Sequence, residues 1–311
     1  MKIEKLTDFD LAEEFLQNNF SSPTHWPEWN LLISQLYGSK FYYLAAYQKN
    51  SLMGLCPIHE EKKGILKNLF SGQYYYIPNG GWIFNEKKSL TTFHKVSFFS
   101  SFQIFSLPEI NEFGVLYNIK SKSFFTLIID LRKDLNSIWT QDVNSKRRNM
   151  IRKAEKNNIS IKMMPEENID DFYNHYLSFN TSHKLKSLPF DFFSKSKSFQ
   201  KIKIDYFVAL TNNTVSHYLL TVRDKNYSFY WAGINISGFE NLGQSELLQW
   251  QAIQFLKEQK CSYYDLCYIE KERLPKIYEF KKGFSQTEVP ITFFNSSGIG
   301  FKLYSKFLKW F

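Results

Sequence analysis

One strand–turn–strand pattern occurs twice in this sequence, and the two copies lie 163 residues apart. The first copy places apolar and aromatic segments at 41–47 and 51–56 around a Lys49-Asn50 turn, and the second places them at 206–210 and 215–222 around Asn212-Asn213. Such segments around a short Asn-containing turn are typical of β-hairpins. The chain has 311 residues, about twice the length of a typical domain. The pattern therefore predicts two similar folding units in tandem.

Composition excludes several classes of protein. With 31 Phe, 19 Tyr and 7 Trp, the chain has enough apolar surface to offset the entropy of ordering, which excludes a disordered protein. We expect no membrane-spanning helix and no secretory signal, because no long apolar run occurs and the sequence starts MKIEKLTDFD. Three scattered cysteines, Cys56, Cys261 and Cys267, favour a reducing cytoplasm over a disulfide scaffold, and their spacing fits no zinc motif. We expect a cytoplasmic protein without a metal.

The net charge of +9 is unevenly distributed. Three of the six arginines, Arg147, Arg148 and Arg152, lie within six residues. A guanidinium group binds phosphate or carboxylate in a two-point manner. Arg148 and Arg152 are four residues apart on one predicted helix face, where they repel each other unless an anion lies between them. The segment is either a solvated helix face or a site for an acidic group.

The second half of the chain has a legible order of elements. It reads strand, strand, strand, loop, helix, strand, helix; the last four of these are predicted at 235–243, 244–259, 262–266 and from Pro275 onward. This is the order of the acyl-CoA N-acyltransferase (GNAT) fold, in which two parallel strands separate and the helix after the first offers its N-terminal amides to the donor pyrophosphate. The predicted fold class is therefore α+β (mixed α/β), with two tandem GNAT-like units, each a mixed sheet flanked by helices.

A basic segment between the halves carries a more specific resemblance. Trp139 followed by the helix 146–159 resembles the linking helix of the FemABX-type acyltransferase superfamily. Further motifs match in order through most of the chain: Pro27-Glu28-Trp29, Gly54…Pro57, Tyr76…Gly80-Gly81, Phe172-Tyr173…Tyr176, Tyr230…Leu242-Gly243…Leu247-Leu248…Trp250…Ala252-Ile253, Tyr264-Asp265-Leu266 and Tyr278-Glu279-Phe280-Lys281-Lys282-Gly283-Phe284. The corresponding domain bounds are an N-terminal GNAT-like unit at 1–143, a basic linking helix at 144–160, a C-terminal catalytic unit at 161–295 and an amphipathic tail at 296–311.

The resemblance implies transfer of an acyl group to an amine. Members of this superfamily use aminoacyl-tRNA or acyl-CoA as donor, and their acceptors are cell-wall peptides or amino sugars of surface polysaccharides. This chain lacks the coiled-coil hairpin of several tRNA-dependent members. It also departs from the glycine-rich CoA loop, because residues 241–245 contain one glycine, and it has Ser285 where relatives often have glycine.

The same resemblance assigns roles at the last motif. Lys281 would stabilise the tetrahedral oxyanion and the leaving group, and Phe280 would pack against the donor. Gly243, Gln244 and Ser245 are the candidates for the phosphate loop at a helix N-terminus.

Three further groups complete the candidate site. Asp265 either accepts the amine proton through water or braces a neighbouring segment, and Tyr264 is a candidate proton donor to the leaving group. Arg148, Arg152 and Tyr230 are the candidates for acceptor binding, with a nucleotide diphosphate or lipid pyrophosphate as the acidic group.

The C-terminal tail is amphipathic. On a helix, Phe301, Tyr304, Leu308 and Phe311 would share one face, and Lys302, Lys306 and Lys309 another. Such a helix either lies at a membrane interface or docks on the protein's own core.

We therefore predict an N-acyltransferase with an acetyl-CoA-type donor, acting on an amino sugar or another cell-envelope glycan precursor. One alternative is a FemABX-like, aminoacyl-tRNA-dependent transferase that forms peptidoglycan bridges. A second is a nucleic-acid-binding protein or a non-catalytic accessory protein. The expected location is the cytoplasm, with peripheral contact at the inner face of the membrane as an alternative.

Overall fold

The structure is a computed structural model that describes residues 1–72, 77–90, 97–117, 122–165, 168–268 and 271–307. Its strands are β1 (Lys2–Leu6), β2 (Lys40–Gln48), β3 (Ser51–Lys63), β4 (Leu66–Ser71), β5 (Ile83–Phe84), β6 (Lys88–Leu90), β7 (Ser100–Phe105), β8 (Val115–Tyr117), β9 (Lys122–Asp130), β10 (Ser160–Met163), β11 (Lys203–Thr211), β12 (Thr214–Arg223), β13 (Tyr227–Asn235), β14 (Tyr263–Asp265) and β15 (Thr287–Ser297). Its α-helices are α1 (Phe9–Asn18), α2 (Pro27–Tyr37), α3 (Leu135–Ser137), α4 (Ser145–Lys156), α5 (Ile169–Ser182), α6 (Phe190–Ser196), α7 (Gln244–Glu258), α8 (Pro275–Lys282) and α9 (Ile299–Phe307). Among these, none combines the length and apolar character that a membrane span requires.

The chain divides into two compact units. The first unit contains residues 1–125 and 289–311, and the second contains residues 126–288. These bounds differ from those expected from the sequence. The segment 144–160, expected to link the units, belongs to the second unit because Ile151 and Ala154 of α4 are buried in the same apolar core as α7.

In the first unit, a mixed sheet has the order β1-β2-β3-β4-β7-β15. Neighbouring strands are antiparallel except β4 and β7, which run parallel with Lys67 opposite Ser100. Helix α9 follows the last strand directly. The tail pattern predicted that Phe301 and Tyr304 share one face. In the structure Phe301 of α9 is buried whereas Tyr304 is exposed, so the two side chains have different environments. Leu308, Lys309 and Phe311 lie outside the described residues.

In the second unit, the sheet order is β9-β14-β13-β12-β11-β10. Strands β10 to β13 form an antiparallel meander, β13 and β14 are parallel, and β14 is antiparallel to β9. Helix α7 connects the two parallel strands. Its apolar residues recur with helical spacing and face the core: Leu248, Ala252 and Leu256 are buried and Phe255 is partly buried.

The two hairpins seen in the sequence correspond in detail. Lys49-Asn50 and Asn212-Asn213 both adopt positive φ, as a two-residue hairpin turn requires. Each hairpin also has a register shift in its first strand, between Ala46 and Tyr47 in the first copy and between Ala209 and Leu210 in the second. The two shifts are 163 residues apart, as the two turns are. The mixed α/β class with two tandem GNAT-like units is confirmed.

Candidate active site

The two parallel strands of the second unit separate after a short pairing. Only Tyr227–Phe229 of β13 faces Tyr263–Asp265 of β14. On the other side of β13, Thr221 pairs with Tyr230 and Leu220 with Ala232, so Trp231 is the extra residue of a β-bulge. A bulge bends its strand and disrupts the ladder locally. Residues 230–233 are only half-buried. The two parallel strands therefore part beyond Phe229 and Asp265, and we call the space between their diverging ends the cleft.

Lys281 lies at this point. Its side chain is buried at the end of α8, and its Nζ donates a hydrogen bond to the carbonyl oxygen of Cys267, 3.2 Å away. The same Nζ is 5.1 Å from the centroid of the Tyr230 ring. Burial lowers the pKa of Lys281, while the neighbouring Cys267 and Asp265 act in the opposite direction. The structure thus brings Lys281 and Tyr230 together at the cleft.

Asp265 braces the turn that holds Lys281. Its buried carboxylate accepts hydrogen bonds from the Thr126 hydroxyl, from the Tyr227 hydroxyl at 2.7 Å and from the Cys267 N–H at 2.8 Å. Burial raises the pKa of Asp265, and these hydrogen bonds oppose that shift. Cys267 has φ +60°, a conformation that non-glycine residues seldom adopt. Of the two roles left open for Asp265, the geometry supports bracing, because the carboxylate already accepts three hydrogen bonds.

Two buried polar side chains lie in the core of the same unit: Tyr264, a candidate proton donor from the sequence, and Gln249, which the sequence analysis did not single out. Tyr264 is fully buried, and its hydroxyl makes no hydrogen bond of ordinary geometry among the described residues, although the Gln249 side chain is near enough to oppose the rise of its pKa. Both amide atoms of Gln249, a buried residue of α7, are also without a partner there. Burial raises the pKa of Tyr264 well above its usual value, so this hydroxyl stays protonated. The sequence feature that could have identified Gln249 is a polar side chain within an apolar stretch of the helix.

Arg147 connects the start of α7 to α8. The side chain is buried; its Nη1 lies 2.7 Å from Oε1 of Glu246, and its Nη2 donates to the carbonyl of Glu279 at 3.2 Å. Its guanidinium carbon is 4.7 Å from the centroid of the Phe280 ring, and a Cβ on Gly283 would press on the Arg147 side chain. The sequence analysis did not predict this role. The available signal was the spacing of residues 147, 151 and 154, which puts Arg147 on the same helix face as the apolar Ile151 and Ala154.

Phe280 makes its contacts within the second unit. Its ring is half-buried, packs against Arg147 and lies 5.3 Å from the ring of Phe284. Its expected contact with the donor stays a prediction. The observed packing explains why a short motif contains an aromatic residue, a lysine and a glycine together: it fixes the direction of α8 and with it the position of Lys281.

The start of α7 is tightly organised. Gly243 caps the helix with φ +96°, and a Cβ there would overlap the carbonyl oxygen of Met150. The Gln244 side chain accepts from the Leu242 N–H at 2.8 Å and donates to the Glu240 carbonyl at 2.9 Å. Glycine is therefore required at 243, and the Gln244 amide stabilises its own loop.

The hydroxyl of Ser245 also contacts the protein, since it donates to Oδ1 of Asn235 at 3.2 Å. What this helix end offers an anion is its first-turn backbone amides, which carry the positive end of the helix dipole. The Glu246 carboxylate lies in the same turn, but its charge is paired with Arg147.

Arg148 and Arg152 have separate surroundings. Arg148 donates from one nitrogen to the carbonyls of Trp139 and Val143, which lie in and directly after a π-helical turn (Ile138–Asp142). Arg152 is exposed and lies 5.6 Å from the centroid of the Trp139 ring. One nitrogen of Arg148 is thus engaged with backbone carbonyls, whereas Arg152 contacts Trp139 and Asn149. Their expected role in binding an acidic acceptor stays a prediction.

Neither a family model nor a curated protein sequence matches this chain. Among solved structures, FemX aligns with TM-score 0.67 and 10% identity over 99% of this chain and 100% of that one. L-PGS from Bacillus licheniformis aligns with TM-score 0.53 and 11% identity, over 99% and 96%. The C-terminal domain of a putative lysylphosphatidylglycerol synthetase from Agrobacterium fabrum aligns with TM-score 0.52 and 9% identity, over 97% and 96%. The resemblance to FemABX-like proteins is thereby confirmed at the level of the fold.

Proposed function

We propose that this protein is an acyltransferase that acylates an amine in the cleft of its second unit. The observation that carries the proposal is the position of Lys281, whose buried amine lies where β13 and β14 separate. A cation in a site shielded from water stabilises developing negative charge far better than one in water. The likeness to FemX and to the two other aligned structures supports the fold on which such a site is built.

The chain's own residues supply electrostatics and positioning. As the acceptor amine forms its bond to the acyl carbon, the carbonyl π electrons move to oxygen, and the Lys281 ammonium stabilises that oxyanion. The oxyanion then re-forms the carbonyl while the bond from the acyl carbon to the donor sulfur or oxygen breaks, and the leaving group departs with the electron pair of that bond. The attacking nitrogen loses its proton to water, since an amine that binds in its neutral form needs no strong base. Asp265 and Cys267 hold Lys281 in place throughout.

An acetyl-CoA-type donor is our preferred finer assignment. The half-buried residues 230–233 provide an edge along which an extended thioester arm would lie, and the first-turn amides of α7 provide an anion site for its pyrophosphate. The acceptor we propose is an amino sugar of a cell-envelope glycan precursor. Aminoacyl-tRNA, the donor of the cross-bridge enzymes that the sequence resembles, is the alternative.

The test pairs two neighbouring lysines of α8. Lys281→Met removes the buried amine, whereas Lys282→Met removes an equal charge that is half-buried and pairs with Glu288. With acetyl-CoA and amino-sugar acceptors, we expect Lys281→Met to lower kcat by about 10²- to 10³-fold and Lys282→Met to change it less than about threefold. Thiol release and product mass are the readouts.

Other outcomes separate the alternatives. Transfer from aminoacyl-tRNA but not from acetyl-CoA would change the assignment of the donor and leave the proposed role of Lys281 unchanged. Full activity of Lys281→Met would contradict the proposed role. No transfer from either donor, together with a steep salt dependence of RNA affinity, would support a nucleic-acid-binding protein.

A further inference from the structure

An exposed apolar surface lies at one end of the first unit. Five large side chains contribute to it, and we call them the Phe98 surface: Ile65 (57% exposed), Phe98 (56%), Phe99 (38%), Ile299 (67%) and Leu303 (57%). Single exposed apolar residues are common on proteins, but contiguous groups of this kind usually mark a site of interaction.

Backbone hydrogen bonds bring these residues together. The Lys67 N–H donates to the carbonyl of Phe99 at 3.1 Å, so the residues that precede β4 and β7 are neighbours at the same end of the sheet. The N–H groups of Gly298 and Phe301 donate to the carbonyls of Ser100 and Phe98, at 2.8 and 3.0 Å. The start of α9 is thus fixed beside the same strand ends.

The direction of α9 determines which of its side chains are exposed. Phe301 is buried, whereas Ile299 and Leu303, four residues apart on the opposite face, point outward. The Phe98 ring is held in position, since it lies 4.8 Å from the Phe99 ring and a Cβ on Gly300 would overlap it. The exposed apolar groups therefore form a preorganised surface.

The charges beside this surface are mainly positive. Lys62 and Lys63, at the end of β3, and Lys302, between Ile299 and Leu303, are all exposed. The nearby carboxylate of Glu60 is buried and lies 3.0 Å from Nζ of Lys67 and 3.7 Å from Nζ of Lys62, so its charge is compensated within the protein. A partner that matches apolar side chains bordered by lysines has a negatively charged outer layer and a hydrocarbon layer below it.

We propose that the Phe98 surface docks this protein on an anionic lipid bilayer. Ile65, Phe98, Ile299 and Leu303 enter the boundary between headgroups and acyl chains, and the lysines contact the headgroups. Tyr304, also exposed, adds a side chain of the type enriched at that interface. The proposal goes beyond the proposed catalysis and does not depend on it.

The experiment measures sedimentation of the full chain with vesicles. One set contains equal parts of phosphatidylglycerol and phosphatidylcholine, and the other contains phosphatidylcholine alone. The disrupting variant combines Phe98→Ser, Ile299→Ser and Leu303→Ser. Its matched control combines Leu31→Ser, Leu116→Ser and Leu185→Ser, three exposed apolar side chains elsewhere (43%, 38% and 49% exposed). Circular dichroism establishes that both variants are folded.

We expect the wild-type chain to bind the anionic vesicles, the disrupting variant to lose at least tenfold in partition coefficient, and the control to retain binding. Lys302→Glu should weaken binding to anionic vesicles, most strongly at low salt. Equal binding of the wild type to both vesicles, or of both triple variants to anionic vesicles, would overturn the proposal. So would a concentration-dependent dimer that only the disrupting variant abolishes, because the surface would then join two copies of the chain.

Discussion

At the scale of single residues, the buried polar groups of the candidate site mostly hold one another in place. Asp265 fixes the Cys267 amide, whose own carbonyl accepts from Lys281, and Arg147 fixes α8 from the other side. Lys281 and Tyr230 lie together at the cleft. Several polar side chains near the cleft therefore act as supports for Lys281, the amine to which we assign the proposed role.

Two buried tyrosines give a test of that division. The Tyr264 hydroxyl makes no hydrogen bond of ordinary geometry among the described residues, so Tyr264→Phe should leave the free energy of unfolding unchanged or raise it by up to about 1 kcal/mol. Tyr227→Phe removes a hydrogen bond to the buried Asp265 and should lower it by about 1 to 3 kcal/mol. Urea denaturation measures both. A hundredfold loss of kcat in Tyr264→Phe would instead support its role as a proton donor.

At the scale of elements, the sequence predicted the order and bounds well where apolar periodicity is strong. The helix expected at 244–259 corresponds to α7, and the helix from Pro275 is α8. The bulge at Trp231 and the bonds of Gln244 to its own loop were not predictable, because both depend on register and loop geometry that leave no periodic pattern. The same limit applies to Arg148, whose partners are backbone carbonyls.

The start of α7 supplies a prediction at this scale. Gly243→Ala adds a methyl group at φ +96° that also overlaps the Met150 carbonyl. We expect the free energy of unfolding to fall by about 2 kcal/mol or more, from backbone strain and crowding together. Gly238 is the matched control, because its φ is +93° but nothing lies within 4 Å of the added carbon. Gly238→Ala should cost about 1 kcal/mol. Equal effects in urea denaturation would show that the overlap is relieved at no cost.

At the scale of the whole molecule, the two units share a strand order and differ where the second has its cleft. In the first unit, β4 stays paired with β7 from Lys67 to Ser71, and a parallel bridge between Gly80 and Ser106 follows. In the second unit, the equivalent parallel pairing ends after three residues. The duplication was predictable from the hairpins, whereas this difference was not, because it depends on how far two strands stay paired.

Buried histidines make stability depend on pH. Burial lowers the pKa of His25 to about 4, of His59 to about 3 and of His217 to about 4, from a usual value of 6.5. Between pH 6.5 and about 4 the unfolded chain therefore binds protons that the folded chain does not, so stability falls as the pH falls through this window. Urea midpoints at pH 7.5, 5.5 and 4.5 should decrease in that order. His217→Gln should flatten the decrease, whereas His183→Gln, at an exposed site, should not.

The discontinuity of the first unit has a consequence for biosynthesis. Strand β15 pairs with β7, but residues 106–286 are translated between them. At about 5 to 20 residues per second, the β15-facing edge of β7 waits roughly 10 to 40 s for its partner. An unpaired strand edge is a template for association with other chains. The second unit can close as soon as it leaves the ribosome, so the half of the protein that starts first is completed last and has the greater need of chaperones.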